Sequence, residues 1–440
     1  MDAKKVLSPR PRSGRLTPDE TAFLYGLGRW YSAGAPPGGG SRTVREEVLF
    51  PCILRNGCAG ILYKGIESGL VPEFADLDRC RDHAMGIEWC NAVYRTAATR
   101  LDAAARRLSI PYVAIKGAAL LATIYPETGI RPLSDLDLIV GTREDALRLI
   151  RGLGLHPPSS HGREFIKRFG EYDRLALPWF LEEERIQAEI EIHFPVPDSP
   201  YSFSEFIGLA RGPILDGGRV RGGIRVIDPT HHLVLLLIHL IYQHLGAKLI
   251  WHVDIARLIA LEGGEIDWDR VLFLADRLGY RAAFGAVLSA AGDRLGVKIP
   301  AAATKRPAGA STLNRGVLRE LVSPGNVLED VLGGQAFAEK IRIGFAQARP
   351  AFFFTFFPSL FRDRPKSGPA YVLTSPHGRL LGELMFIALA KYRWIGRFTA
   401  LKRFLGRIAL ALSALIVHPV HLHYNRKWRS GMADAPRSRP

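Results

Sequence analysis

Residues 135–140, DLDLIV, alternate acidic and apolar side chains with the period of two that is typical of a β-strand. This alternation predicts that Asp135 and Asp137 lie on one face of the strand while Leu136 points into the core. Two carboxylates so placed offer the hard oxygen ligands that Mg²⁺ prefers. A bare D-x-D pair is common and indicates only a polar strand end, so its neighbours decide its meaning.

A second alternating segment, IQAEIEIHF at residues 186–194, predicts another strand. It places Glu189, Glu191 and His193 on one face. Either glutamate is a candidate third ligand beside the aspartates. Three carboxylates from two strands can hold two metal ions of the kind that assist phosphoryl transfer.

Upstream, the apolar run IPYVAIKG at residues 110–117 predicts a strand that ends at Gly117 and leads into a helix. The free amides of a helix N-terminus favour a phosphate, and Lys116 adds a positive charge there. Gly129 allows a tight turn of the chain that brings Arg131 and Ser134 beside the two aspartates. The planar guanidinium of Arg131 is suited to binding a triphosphate there. Together these residues predict one nucleotide site.

The remaining sequence is mostly helical in pattern, which predicts an α+β fold with a small mixed sheet and flanking helices, inserted among helical regions. The predicted divisions are a disordered or short-helix tail (1–43), a helical region (44–108), a catalytic domain (109–228), a helical domain (229–300), a linker (301–340) and a basic aromatic C-terminal region (341–440).

The net charge of +16 is concentrated at the two ends of the chain. Residues 341–440 carry 17 Lys and Arg against 3 Asp and Glu, and residues 1–15 carry 5 against 1, so the central 325 residues have a net charge of −2. The predicted catalytic region therefore has no excess positive charge for nucleic acid. Four cysteines without metal-binding spacing, and no apolar signal segment after the basic N-terminus, favour a cytoplasmic protein.

The block IKGAALLATIYPETGIRPLSDLDLIV, followed by EIEIHF, resembles the nucleotidyltransferase superfamily with the polymerase β-like fold. More narrowly, residues 45–300 resemble a bacterial family of uncharacterised nucleotidyltransferases, which shares the KG helix start, the G-x-RP-x-SDLDL block, the EIH strand and the helical segment LIHLIYQHLGAKLIWHVDIARL.

This resemblance implies that Asp135, Asp137 and Glu191 bind two Mg²⁺ ions and act in catalysis, with an NTP as substrate. It favours Glu191 over Glu189 because Glu191 belongs to the EIH block. One position departs from the superfamily, in which a serine follows the glycine: here Ala118 follows Gly117, so a hydroxyl that often contacts phosphate is absent.

For several other polar residues, a purely structural role is as consistent with the sequence as a functional one. His193 either positions substrate or caps the strand, and Asp254 is interpreted as a packing or hydrogen-bonding residue near an acceptor pocket. His239 and His244 are five residues apart, which on an α-helix does not place them on one face. We therefore do not expect them to share a metal ion and interpret them as core histidines.

The C-terminal region combines the aromatic run AFFFTFFPSLF with a basic, apolar stretch. His, Asn and Pro within its longest uncharged run, residues 408–425, disfavour a membrane-spanning helix. A helix lying at an anionic membrane surface and a helix packed on the catalytic body both fit. The first would make the protein peripheral at the inner face of the membrane.

The leading hypothesis is thus an enzyme that transfers an NMP from an NTP to a hydroxyl or phosphate acceptor on a small molecule, glycan or peptide. A non-catalytic nucleotide-binding or membrane-associated scaffold and a protein-adenylylating enzyme are the alternatives.

Overall fold

The computed structural model describes residues 16–35, 44–71, 77–127, 129–155, 174–183, 186–195, 202–244, 246–305 and 322–329. All of these residues belong to one compact unit of the chain. The sequence-based divisions at residues 43, 108, 228 and 300 stay a prediction.

Thirteen α-helices and six β-strands are formed by the described residues, together with a π-helical turn and a short 3₁₀ turn. The helices are α1 Pro18–Ala33, α2 Glu46–Arg55, α3 Ala59–Glu67, α4 Leu77–Arg107, α5 Lys116–Thr123, α6 Arg143–Leu153, α7 Ser202–Asp216, α8 Pro229–Ile238, α9 Leu249–Glu262, α10 Trp268–Leu278, α11 Arg281–Leu295, α12 Ala301–Thr304 and α13 Pro324–Glu329. The strands are β1 Tyr112–Ala114, β2 Leu136–Val140, β3 Arg174–Glu183, β4 Ile186–His193, β5 Arg219–Arg221 and β6 Ile224–Val226. The π-helical turn is His239–Gln243, and the 3₁₀ turn is Gly263–Glu265.

The strands form one mixed sheet in the order β3-β4-β2-β1-β6-β5. β2 pairs antiparallel with β1 and parallel with β4, and β1 pairs parallel with β6. This confirms the predicted α+β class with a small mixed sheet and flanking helices. All five residues of β2 are buried, including Asp137, because the strand lies between β1 and β4 with helices packed around it.

Helix α1 begins with a capping box: the Thr17 hydroxyl accepts from the Glu20 amide, and the Glu20 carboxylate accepts from the Thr17 amide. Leu24 and Leu27 are buried where α1 packs against α9 and α11. The segment 16–35 is therefore part of the packed unit, because this apolar face is covered by the later helices.

The helices predicted between residues 229 and 300 are confirmed. Asp267 caps α10 by accepting from the Arg270 amide. One expectation about this region is wrong. His239 and His244 do share a face, because the chain between them is π-helical and not α-helical, and their Nε2 atoms lie 3.2 Å apart.

Within the predicted linker, residues 301–340, the described residues form the helices α12 and α13. Val327 and Leu328 of α13 are buried, and the Leu328 carbonyl accepts a hydrogen bond from Asn56 Nδ2 at 2.9 Å. In the described parts of the chain, no helix combines the length and apolarity that crossing a membrane requires. The region 341–440 lies outside the described residues, so its membrane contact stays a prediction.

Candidate metal and nucleotide site

The parallel pairing of β2 with β4 brings acidic residues from two distant segments side by side. Asp137 is the register partner of Glu191, and Ile139 is the partner of His193. Asp135 directly precedes β2 and is partly exposed, whereas Asp137 is buried. The pairing places the predicted carboxylates at one end of the sheet.

Asp137 is the centre of this cluster because a single carboxylate oxygen has two partners. Its Oδ1 accepts from Lys116 Nζ at 2.8 Å and lies 2.9 Å from His193 Nε2. Burial alone would disfavour the charged carboxylate. Lys116 and His193 outweigh burial and hold the pKa of Asp137 below its usual value. The side chain is thus kept ionised inside the fold.

Ligand atoms of Asp137, Glu191 and His193 lie within 4.8 Å of one another. Asp135 borders the group, and its Oδ1 accepts from the Ser134 hydroxyl at 3.1 Å. Burial, with the nearby negative charge of Asp137, raises the pKa of Asp135 to about 7. Burial is the larger of the two causes, so a partner that stabilises the charged form would lower this pKa.

Lys116 reaches Asp137 from a strained backbone position. Its φ of 48° lies in the left-handed region, which a side chain such as lysine rarely adopts. Asp137, Glu191 and Asp135 raise the pKa of Lys116 although burial acts against them, which keeps the amine charged. Phe203 of α7 covers the site, with its ring centroid 5.4 Å from Lys116 Nζ and 4.7 Å from that of His193.

Gly117 lies against the loop before β2. A Cβ at this position would lie 2.4 Å from Leu133 Cδ1 and 2.5 Å from Arg131 Nη1, so any other residue here would require these side chains to shift. Helix α5 starts here without a side-chain cap, which leaves its N-terminal amides to other partners. Ala118, where the superfamily has serine, is buried in the first turn of α5.

Arg131 is buried and bonded within the protein. Its Nε and Nη2 donate to the carboxylate of Asp254 at 3.2 and 3.0 Å, and its Nη1 donates to the Pro132 carbonyl at 2.9 Å. Tyr125 also donates to Asp254, at 2.6 Å. The guanidinium fork that was predicted for a triphosphate is thus directed to Asp254 of α9, which fits the predicted hydrogen-bonding role of that aspartate.

Two residues of α4 support this loop and were missed from the sequence. Asn91 donates to the Arg131 carbonyl at 2.8 Å and accepts from the Leu133 amide at 3.1 Å. The Tyr94 hydroxyl donates to the Ser134 carbonyl. Asn91 is buried, and a buried asparagine side chain needs hydrogen-bond partners inside the fold. An asparagine within the helical pattern of α4 was the only signal that the sequence offered for this role.

The predicted site residues therefore fall into two adjoining groups. The first group, hereafter the carboxylate cluster, consists of Lys116, Asp135, Asp137, Glu191 and His193. The second group, hereafter the arginine network, consists of Arg131, Asp254 and Tyr125. Gly117 and Ser134 contact one or the other group. Glu189 is partly buried on β4, opposite Phe180 of β3.

Comparison with known proteins identifies the family of the chain. Residues 44–296, more than half of the chain, match the model of a family described as "Uncharacterised nucleotidyltransferase". Neither the curated proteins nor the solved structures give a significant match. The match includes both the carboxylate cluster and the arginine network. The chain belongs to this nucleotidyltransferase family and is a transferase of nucleotidyl groups.

Proposed function

We propose that the protein transfers an NMP from an NTP to a hydroxyl or phosphate acceptor in a Mg²⁺-dependent reaction at the carboxylate cluster. The observation that carries this proposal is the register pair of Asp137 and Glu191 on adjacent parallel strands, with Asp135 one step outside the sheet. The acceptor belongs to a small molecule, a glycan or a peptide.

The residues present fit divalent metal ions. Asp135, Asp137 and Glu191 supply hard carboxylate oxygens, the ligand type that Mg²⁺ prefers. The raised pKa of Asp135 supports the same conclusion, because a bound dication would stabilise its ionised form. Asp135, Asp137 and Glu191 would hold two ions, which when bound stabilise the charge on the attacking and leaving oxygens.

The chain's own groups bind and orient the nucleotide. Lys116 provides a buried positive charge beside the carboxylates, and the uncapped start of α5 provides amides and a helix dipole for a phosphate. Ser134 orients Asp135 through its hydroxyl. Phe203 limits access of water to Lys116 and His193, which strengthens their electrostatic interactions.

Arg131 takes an indirect part in this proposal. Its bonds to Asp254 hold the loop before β2, and Gly117 packs against its guanidinium. Arg131 thereby fixes the start of α5 relative to Asp135. In the reaction, the acceptor oxygen forms a bond to the α-phosphorus, the bond from that phosphorus to the bridging oxygen breaks, and pyrophosphate leaves.

The test uses the purified full chain with Mg²⁺, a cell extract as source of acceptor, and each NTP labelled at the α-phosphate. We expect the wild type to transfer label and the Asp135→Asn, Asp137→Asn double variant to transfer none. Glu189→Gln is the matched control on the same face of β4 and keeps the activity. Failure of the wild type to transfer label from any NTP would contradict the proposal, as would equal transfer by the double variant.

A further inference from the structure

The π-helical turn His239–Gln243 joins α8 to the loop before α9 and brings two histidines together. On an α-helix, residues five apart point about 140° away from each other. A π-helix forms its hydrogen bonds between residues i and i+5, so it stacks such residues one turn apart. His239 and His244 accordingly have ring centroids 4.4 Å apart and planes at 77°.

The two imidazoles are held in place by a shared aromatic neighbour. The ring of His244 stacks on that of Trp251 in α9, with a centroid distance of 3.5 Å and an interplanar angle of 25°. His239 approaches the same indole edge-on at 6.1 Å. Both histidines are partly exposed, so solutes can reach them. The pair is thus both ordered and accessible.

The distance of 3.2 Å between the two Nε2 atoms suits a shared metal ion. Zn–N bonds of 2.0–2.1 Å in tetrahedral geometry place two ligand nitrogens about 3.3 Å apart.

We propose that His239 and His244 form a chelating pair for a late first-row transition-metal dication of the Zn²⁺ class, at a site separate from the carboxylate cluster. Imidazole suits Zn²⁺, Cu²⁺ and Ni²⁺, whereas carboxylate oxygens suit Mg²⁺. Within the described ranges, the carboxylate cluster supplies the only group of three or more potential ligands.

A hydrogen bond between two neutral imidazoles would also give a distance of 3.2 Å between the Nε2 atoms. A measurement of metal binding distinguishes a hydrogen-bonded pair from a chelating pair. The experiment titrates the metal-free full chain with Zn²⁺ against a chromophoric chelator, in excess Mg²⁺ to occupy the carboxylates. Cu²⁺ electron paramagnetic resonance of the same samples reports nitrogen ligands. The variants are His239→Gln and His244→Gln, which keep a polar side chain. The controls are His83→Gln, a histidine on α4, and Asp137→Asn.

We expect wild type and His83→Gln to bind Zn²⁺ alike, and Asp137→Asn to lose at most the Zn²⁺ that the carboxylate cluster holds. All three should show nitrogen hyperfine structure with Cu²⁺. Each variant of the pair should bind at least about tenfold more weakly, since even residues that support a metal ligand alter affinity by about 10–100-fold. Absence of Zn²⁺ binding by the wild type would overturn the proposal. Equal binding by both pair variants, or loss in Asp137→Asn alone, would do the same. No NTP is present, so the result is independent of the transfer reaction.

Discussion

The carboxylate cluster and the arginine network each contain a buried aspartate against a buried cation, but they balance charge differently. Asp254 accepts two bonds from Arg131 and a third from Tyr125, and among the described residues no second carboxylate accepts a hydrogen bond from Arg131. Asp137 shares one oxygen between Lys116 and His193. In the arginine network, one buried carboxylate is thus paired directly with one buried guanidinium.

The carboxylate cluster is not balanced in the same way, because Asp137 has two acidic neighbours. Glu191 is its register partner, and the pKa of Asp135 rises to about 7 beside it. Repulsion from Asp137 adds to burial in raising that pKa. The comparison teaches that a buried ion pair with direct bonds serves structure, whereas several carboxylates grouped around one position are typical of a site for an external cation.

The largest expected effect is on transfer by the carboxylate cluster. Asp137→Asn removes a charge that both the metal ions and Lys116 require, so we expect nucleotidyl transfer to fall by at least about 10³-fold. Glu191→Gln should cause a loss of the same order, and Glu189→Gln a small change. Rates of label transfer from α-labelled NTP measure all three. If Glu189→Gln lost most of the transfer activity and Glu191→Gln lost little, Glu189 and not Glu191 would be the third metal ligand.

The second prediction concerns stability, for which the arginine network should matter more than the carboxylate cluster. Asp254→Ala leaves Arg131 charged, buried and without its main partner, which should lower the free energy of unfolding by about 3–5 kcal/mol. Asp137→Asn relieves repulsion among carboxylates while weakening the bond to Lys116, so its effect on the metal-free protein should be smaller. Urea denaturation of both variants gives the comparison. Equal destabilisation would mean that the two regions do not differ as described.

A smaller effect is expected for Tyr125→Phe, which removes one hydrogen bond to Asp254 and keeps the aromatic packing. Hydrogen bonds to charged groups contribute about 1.5–3 kcal/mol, so the free energy of unfolding should fall by about that amount. Metal affinity should stay unchanged, because Tyr125 does not contact the carboxylate cluster. Isothermal titration with Mg²⁺ checks the second part, and a loss of Mg²⁺ binding would join the two regions into one functional unit.

The smallest effect is a pH dependence that arises from Asp135. Its folded pKa of about 7 exceeds the ordinary value of 3.8, so the folded metal-free protein binds this proton more tightly than the unfolded chain does. Stability from this group is present at about pH 4 and is lost as the pH rises through about 7. Mg²⁺ needs the ionised form, so its affinity should fall by at most about tenfold per pH unit below 7.

Calorimetric Mg²⁺ titrations at several pH values, in buffers of different ionisation enthalpy, would show the released proton. Asp135→Asn is the control, since it cannot ionise at this position. A wild-type affinity that is independent of pH between 6 and 8 would contradict the assigned cause.

The sequence predicts the strands of the carboxylate cluster because alternation is a local pattern. DLDLIV and EIEIHF needed no knowledge of the rest of the chain. The β5–β6 hairpin was missed although it had a local signal: Gly222 and Gly223 have φ values of 54° and 84°, and a Gly-Gly pair between short strands favours such a turn.

Long-range partners had no such signal. The bond of Lys116 to Asp137 spans 21 residues, and that of Arg131 to Asp254 spans 123. Sequence reasoning assigned both cations to the triphosphate, since a charge near a predicted phosphate site has no visible competitor in the sequence. The π-helical turn was equally hidden, because one additional residue per turn leaves the apolar pattern of α8 unchanged.

The most direct measurement is Mn²⁺ binding followed by electron paramagnetic resonance, with Mg²⁺ as competitor. The account predicts that wild type and Tyr125→Phe bind Mn²⁺, that Mg²⁺ displaces it, and that Asp137→Asn loses binding while it remains folded. Mn²⁺ binding that survives in Asp137→Asn, or wild-type protein that binds none, would contradict the conclusion that the carboxylate cluster is the metal site.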